Sequence, residues 1–220
     1  MNRIKKVVLS FDLDNTLIDN RMGIVNSFNY ALRKFNIAEI AKEKIEKMIG
    51  TPLEEMFAQV TKLNSSNLAS AFREFYGNKG IYQSNLLTGV KNKLHEFKKE
   101  GFTLGIITSK KQEMAERIVK YLEINHFFDY ILGETEERKF LGKLDPKVKE
   151  ILEKKYPNYK IIIIGDHPKD AMLSNNLNCP FIGVLTGNHS EDQLKQIKTN
   201  KILILDSLKA LTIEKILNLI

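Results

Sequence analysis

The sequence predicts an α/β protein in which a parallel sheet carries helices on both faces and is interrupted by an all-helical insertion. Three observations predict it. Short apolar runs alternate with amphipathic helical stretches from about residue 90 onward, the pattern of strand–helix–strand units. Residues 20–76 show helical periodicity and no convincing strand. Polar or acidic turns follow the apolar runs directly, and open parallel sheets bind ligands beyond the carboxyl ends of their strands. A length of 220 residues suits one large domain or a core with one inserted subdomain.

Taken in order, Lys6–Phe11 reads as a buried strand, with Val7, Val8, Leu9 and Phe11 ahead of a polar turn. Asp12 and Asp14 break the apolar stretch too early for a secretory leader. Val25, Phe28, Leu32 and Phe35 then fall on one helical face. Helices follow over Ile40–Ile49, Leu53–Val60 and Leu68–Tyr76, with Phe28, Phe35, Phe72 and Phe75 as the core of the insertion. Val90–Lys99 is a helix and Phe102–Ile107 a strand. Ser109, with Gln112 three residues later, has the form of a capping box opening the next helix. Phe128–Leu132 is a short strand, and Asp145-Pro146 places an N-cap and a first helical residue. Lys160–Ile164, Phe181–Leu185 and Ile202–Leu205 are strands, with a helix over Pro168–Leu177. Ser190 with Gln193, and Asp206, are further helix starts. The expected division is a Rossmann-like core over 1–19 and 88–220 and a helical domain over 20–87.

Composition excludes several classes. The single cysteine, Cys179, forms no intramolecular disulfide, so a reducing, cytoplasmic setting is expected. Its place between a helix and Pro180 predicts a packed thiol. A spanning helix needs about 20 apolar residues, so no membrane partner is expected. The net charge of +7 favours anionic partners. The lysines are nevertheless spread along the chain without interleaved aromatics, so nucleic acid is not the expected one.

Four sets of residues at strand ends carry chemistry. Asp12-Leu13-Asp14-Asn15-Thr16 follows the first strand, where a turning chain can bring two carboxylates to one ligand. Thr108-Ser109 follows the strand at 102–107, and a hydroxyl beside unpaired N–H groups at a helix start is an anion site. Lys143 lies in Gly142-Lys143-Leu144-Asp145-Pro146. Asp166 and Asp170, one helical turn apart, follow the strand at 160–164.

In order and placement this set resembles the haloacid dehalogenase superfamily, with Asp12–Thr16, Thr108, Lys143 and Asp166 with Asp170 as the matching motifs. The helical stretch resembles that family's inserted cap, and Gly50-Thr51-Pro52-Leu53 its substrate loop. The run Asn178–Gly187 is similar to the phosphoglycolate phosphatase-like subgroup. The resemblance implies a phosphatase acting on a small phosphorylated metabolite. Asp12 would be the nucleophile forming an aspartyl-phosphate, and Asp14 the general acid and then base. Thr108, Ser109 and Lys143 would hold the phosphoryl oxygens, and Gly50 and Thr51 the substrate. Asp12, the Asp14 carbonyl and Asp166 would ligate Mg²⁺, with Asp170 acting mostly through water. Four carboxylates against one lysine leave three negative charges, so a phosphate dianion needs a hard divalent cation to enter.

A mutase, pyrophosphatase or nucleotidase of the same superfamily is the alternative, and a phospho-ligand-binding protein the non-enzymatic one. Dehalogenation is disfavoured, because a halide leaving group needs no proton and Asp14 is present. A monomer or homodimer is expected. His167 stands where the family often has Ser or Thr, Leu144 where a proline commonly follows the lysine, and Asn20 where a small serine is frequent.

Overall fold

The structure, a computed structural model, describes residues 6–136 and 142–220. Strand β1 (Val7–Phe11) is buried at all five positions, as a central parallel strand covered on both faces must be. A turn leads to the two-residue strand β2 (Ile18–Asp19). Four helices follow, α1 (Arg21–Lys34), α2 (Lys42–Met48), α3 (Leu53–Ala58) and α4 (Ser65–Asn78). Asn64 caps α4 by accepting from the Ser66 and Asn67 N–H groups. Strand β3 (Asn85–Leu86) then pairs with β2 in a short ribbon.

Alternation begins with α5 (Val90–Glu100), β4 (Thr103–Lys111), α6 (Gln112–Tyr121) and β5 (Tyr130–Glu134). It continues through α7 (Pro146–Lys155), β6 (Lys160–Gly165), α8 (Pro168–Asn176), β7 (Phe181–Val184), α9 (Glu191–Lys195), β8 (Ile202–Leu205) and α10 (Ile213–Leu217). The six long strands form one sheet in the order β5-β4-β1-β6-β7-β8, and every pairing is parallel. β1 lies inside the sheet, with Leu9 opposite Leu104 on one side and Ile162 on the other. On one face Val8, Ile163 and Phe181 pack with Val148, Leu152, Leu173 and Cys179. Fully burying a side chain such as Phe181 is worth about 1.5–3 kcal/mol. The expected α/β architecture with a parallel, helix-covered sheet is the one observed. No described helix is long and apolar enough to cross a membrane.

The chain forms two compact units, one built from the residues up to Ile18 with Leu86–Ile220, the other from Asp19–Asn85. Inside the helical unit Phe28 stacks on Phe57 with centroids 4.2 Å apart, and Phe72 stacks on Tyr76. Phe28 and Phe72 are core residues, as expected. Phe35 and Phe75 are only half-buried; Phe75 lies against Tyr30 at the unit's margin.

Some local expectations are corrected. Ser109 does not open a helix. β4 continues through it to Lys111, with a register shift between Ile107 and Lys111 against β5. α6 starts at Gln112 without a side-chain cap. The Gln112 side chain instead binds the β5 main chain, accepting from the Gly133 N–H and donating to the Ile131 carbonyl at 3.0 Å. β5 begins at Tyr130, not Phe128, because the chain runs through a short 3₁₀ turn at Asn125–Phe127. Asp206 caps nothing, and the last helix is capped by Thr212. Asp145 and Ser190 cap as expected, Ser190 in a full capping box with Gln193.

Candidate active site

The carboxyl ends of β1 and β6 deliver Asp12 and Asp166 to one region, and Thr108 lies on β4, the strand paired with β1 in register from Val8–Thr103 to Phe11–Ile106. Asp12 leaves β1 with its N–H donating to the Ile164 carbonyl at 2.8 Å, so strand pairing carries directly into the loop. Asp12, Asp166 and Asp170 are all buried, and each offers a carboxylate oxygen within 4.8 Å of the others. Asp170 comes from the first turn of α8, where its carboxylate also accepts from the His167 N–H at 3.1 Å. His167 itself is the N-cap: its Nδ1 accepts from the Lys169 N–H at 3.0 Å. The histidine thus serves as the helix cap. Gly165 is required by this packing, since a Cβ there would run into the Asp170 carboxylate.

Lys143 lies in a 3₁₀ turn over Gly142–Leu144 and is 4% exposed. Its Nζ donates to Asp12 Oδ1 at 2.8 Å and to Asp170 Oδ1 at 2.6 Å. Two ion pairs therefore fix the ammonium. Burial pushes the Lys143 ammonium down, but Asp12 and Asp170 outweigh it and hold it above the ordinary lysine range. Desolvation pushes the Asp166 carboxyl up, with Asp12 and Asp170 adding to the rise. Desolvation raises Asp170 as well, against the pull of Lys143. Three buried carboxylates facing one ammonium leave two negative charges, the complement of one hard divalent cation with oxygen ligands. The residues present fit such an ion.

Asp14 stands apart from this cluster. Its carboxylate is half-exposed and faces the Lys110 Nζ at 3.2 Å. Desolvation raises its carboxyl, Lys110 opposes the rise, and Asp12 adds to it. The turn that carries it is tied down by Asn15, in the left-handed region at φ 56°, whose N–H donates to the Ile18 carbonyl. Thr108 is buried at 2% exposure, and its hydroxyl accepts from the Lys110 N–H at 3.2 Å. Ser109 is exposed. Gly50 and Thr51 lie in the helical unit, in a tight turn between α2 and α3 with Gly50 at φ 107°.

Several contacts in the site were not read from the sequence, although Thr16, Thr186 and Gly187 lie in runs that it singles out. Thr16 donates to Asp166 Oδ1 at 2.9 Å and so links the first loop to the third. The loop after β7 closes over both. The Thr186 hydroxyl donates to the Asn15 carbonyl, and the His189 ring meets His167 edge to face at 4.3 Å. Gly187 passes so near Asp166 that a Cβ would overlap its carboxylate. Lys110 was not found because it lies within the register shift between Ile107 and Lys111, where strand alternation does not hold. Gly187 ends the run Asn178–Gly187 but nothing local marks its approach to Asp166, and nothing local marks His189.

The profile of the haloacid dehalogenase-like hydrolases matches residues 9–184, and the chain belongs to that family. It is 29% identical over 189 residues to a 5'-nucleotidase of Pseudomonas aeruginosa, covering 84% of this chain and 85% of that one. It is 27% identical over 199 residues to a phosphoglycolate phosphatase of Vibrio cholerae, covering 84% and 87%. A haloacid dehalogenase-like hydrolase of Streptococcus pneumoniae superposes with a TM-score of 0.78 at 28% identity, covering 92% and 94%.

Proposed function

We propose that this phosphatase hydrolyses a small phosphorylated metabolite of the phosphoglycolate kind through an aspartyl-phosphate on Asp12, with Mg²⁺ as its cofactor. The observation that carries the reading is the separation of the carboxylates into two groups. Asp12 sits with Asp166 and Asp170 around Lys143, whereas Asp14, outside that cluster, pairs with Lys110. A nucleophile and a proton donor for one phosphorus need that arrangement. Asp12 Oδ attacks phosphorus, and the bond from phosphorus to the leaving oxygen breaks. Asp14 gives its proton to that oxygen. Asp14 then takes a proton from water, whose oxygen attacks phosphorus, and the bond to Asp12 breaks to release phosphate. Thr108, the Ser109 N–H and Lys143 stabilise the equatorial oxygens, where charge is spread during transfer. Gly50 and Thr51 contact the rest of the substrate.

Asp12, the Asp14 main-chain oxygen and Asp166 would hold the Mg²⁺, with Asp170 acting through water. When bound, the ion supplies Lewis-acid polarisation of a phosphoryl oxygen and neutralises the site. Placement of the helical unit, Asp19–Asn85, as the substrate-selecting cap belongs to the same proposal. So does a cytoplasmic location.

The test is phosphate release from phosphoglycolate, sugar phosphates, nucleoside monophosphates and pyrophosphate, with Mg²⁺ and with a chelator. Release that needs Mg²⁺ and is lost in Asp12→Asn supports the proposal, and the preferred compound ranks phosphoglycolate against the nucleotidase and pyrophosphatase alternatives. Release that survives in Asp12→Asn, or none from any compound, overturns it.

A further inference from the structure

The bulged extension of β4 places a second lysine in the site, and the proposed mechanism leaves it without a task. Thr108 is buried and Lys110 half-buried, whereas Ser109 and Lys111 are exposed. Lys110 therefore turns inward with Thr108. Its side chain keeps only 12% of its exposure, and its Nζ lies 3.2 Å from Asp14 Oδ2. Lys143 does the neutralising work among the three clustered carboxylates, at 2.8 Å from Asp12 and 2.6 Å from Asp170. The two ammonium groups thus serve different carboxylates. Lys143 stands where the phosphorus is attacked, and Lys110 stands where the leaving group departs.

We propose that Lys110 is a specificity-determining residue that selects phosphate compounds whose leaving group carries its own negative charge close to the departing oxygen. The proposal rests on the phosphatase reading and deepens it. A leaving oxygen that takes a proton from Asp14 must come within hydrogen-bonding reach of that carboxyl. The Lys110 Nζ, on the same carboxyl, is then about 6 Å or less from the leaving oxygen where both meet Oδ2, and about 8 Å or less where that oxygen meets Oδ1. A carboxylate or phosphate two or three bonds beyond that oxygen meets the ammonium, and an alkyl or aryl group does not. In a half-buried setting, one such charge pair at this distance is worth about tenfold to a hundredfold in transition-state binding. The substrate class is accordingly a compact phosphoryl-carboxylate or a diphosphate, in preference to a neutral alcohol's phosphate.

The experiment compares kcat/KM for two anionic-leaving-group probes, 2-phosphoglycolate and pyrophosphate, with that for ethyl and phenyl phosphate. Wild type, Lys110→Gln and Lys110→Arg are measured, with thermal melting to confirm that each is folded. The ratio of the better anionic probe to the neutral esters is expected to exceed one in wild type. It should fall about tenfold or more in Lys110→Gln, chiefly through KM, and be largely retained in Lys110→Arg. An unchanged ratio overturns the inference, as does an equal loss on both kinds of probe, which would make Lys110 only a support for Asp14. Those outcomes leave the phosphatase reading standing. Failure of wild type on every probe, or release that persists in Asp12→Asn, removes that reading and the Lys110 assignment with it.

Discussion

At the scale of single residues the site is held by a few buried polar contacts, and each gives a sharp expectation. Lys143 is 4% exposed and joins Asp12 to Asp170. Removing one partner from a buried ionic group leaves the others uncompensated, at a cost of about 3–5 kcal/mol. Lys143→Ala should therefore lose about that much stability in urea unfolding of the metal-free protein, beside its loss of activity. A change below about 1 kcal/mol would show that the buried charges find other partners. Gly187 acts by having no side chain. A Cβ at that position overlaps the Asp166 carboxylate, so Gly187→Ala must displace either the loop or the acid. The variant is expected to melt cooperatively and to bind Mn²⁺, as a probe for Mg²⁺, about tenfold or more weakly in a direct titration, the scale seen when a supporting residue behind a metal ligand is lost. Unchanged affinity would mean that Asp166 is held well enough by Thr16 alone.

The elements show what the sequence could and could not reveal. Asp12, Asp14 and Asp166 were singled out because each lies just past a strand that is itself an apolar run, and Asp170 because it stands one helical turn after Asp166. The two Ser-x-x-Gln signatures mark the boundary of that legibility. Ser190 and Gln193 form a capping box, with the Ser190 N–H donating to Gln193 Oε1 at 2.9 Å. Ser109 and Gln112 have the same spacing but no cap, because a bulge carries β4 onward and β5 recruits the Gln112 side chain. That competition is between residues about twenty apart, so a local pattern does not contain it. The same extension turns Lys110 inward, which is why the residue facing Asp14 went unread. The contrast is measurable. Ser190→Ala should cost about 1 kcal/mol, the usual value of an N-cap. Ser109→Ala should stay within about 0.5 kcal/mol, as exposed positions without such a role do. Equal costs in chemical denaturation would contradict the assignment of one cap and not the other.

For the whole molecule, a parallel sheet ordered β5-β4-β1-β6-β7-β8 gathers acids from distant sequence positions at one edge and buries them together. Desolvation then raises Asp166 and Asp170 from the ordinary 3.8, so the folded protein holds those protons more tightly than the unfolded chain does. A group of that kind destabilises the fold progressively as pH rises from its unfolded value through its folded one. The histidines act in the opposite sense at lower pH. Burial holds His167 down to about 4 and also lowers His189, so both favour the fold increasingly as pH rises toward the ordinary imidazole value of 6.5. The carboxylates are accordingly read from about pH 6.5 upward. There the metal-free protein should lose stability through neutrality to about pH 8. A divalent cation needs its ligands deprotonated, and binding to the folded state alone adds stability by mass action. The rise in melting temperature produced by Mg²⁺ should therefore be larger at about pH 8 than at about pH 6.5. Asp166→Asn should reduce both the metal-free slope and the Mg²⁺ response, since it removes a titrating group and a proposed ligand in one step. A metal-free melting temperature that is level or rising across this window, together with a Mg²⁺ increment that does not depend on pH, would show that the buried carboxylates are already ionised and compensated without the ion.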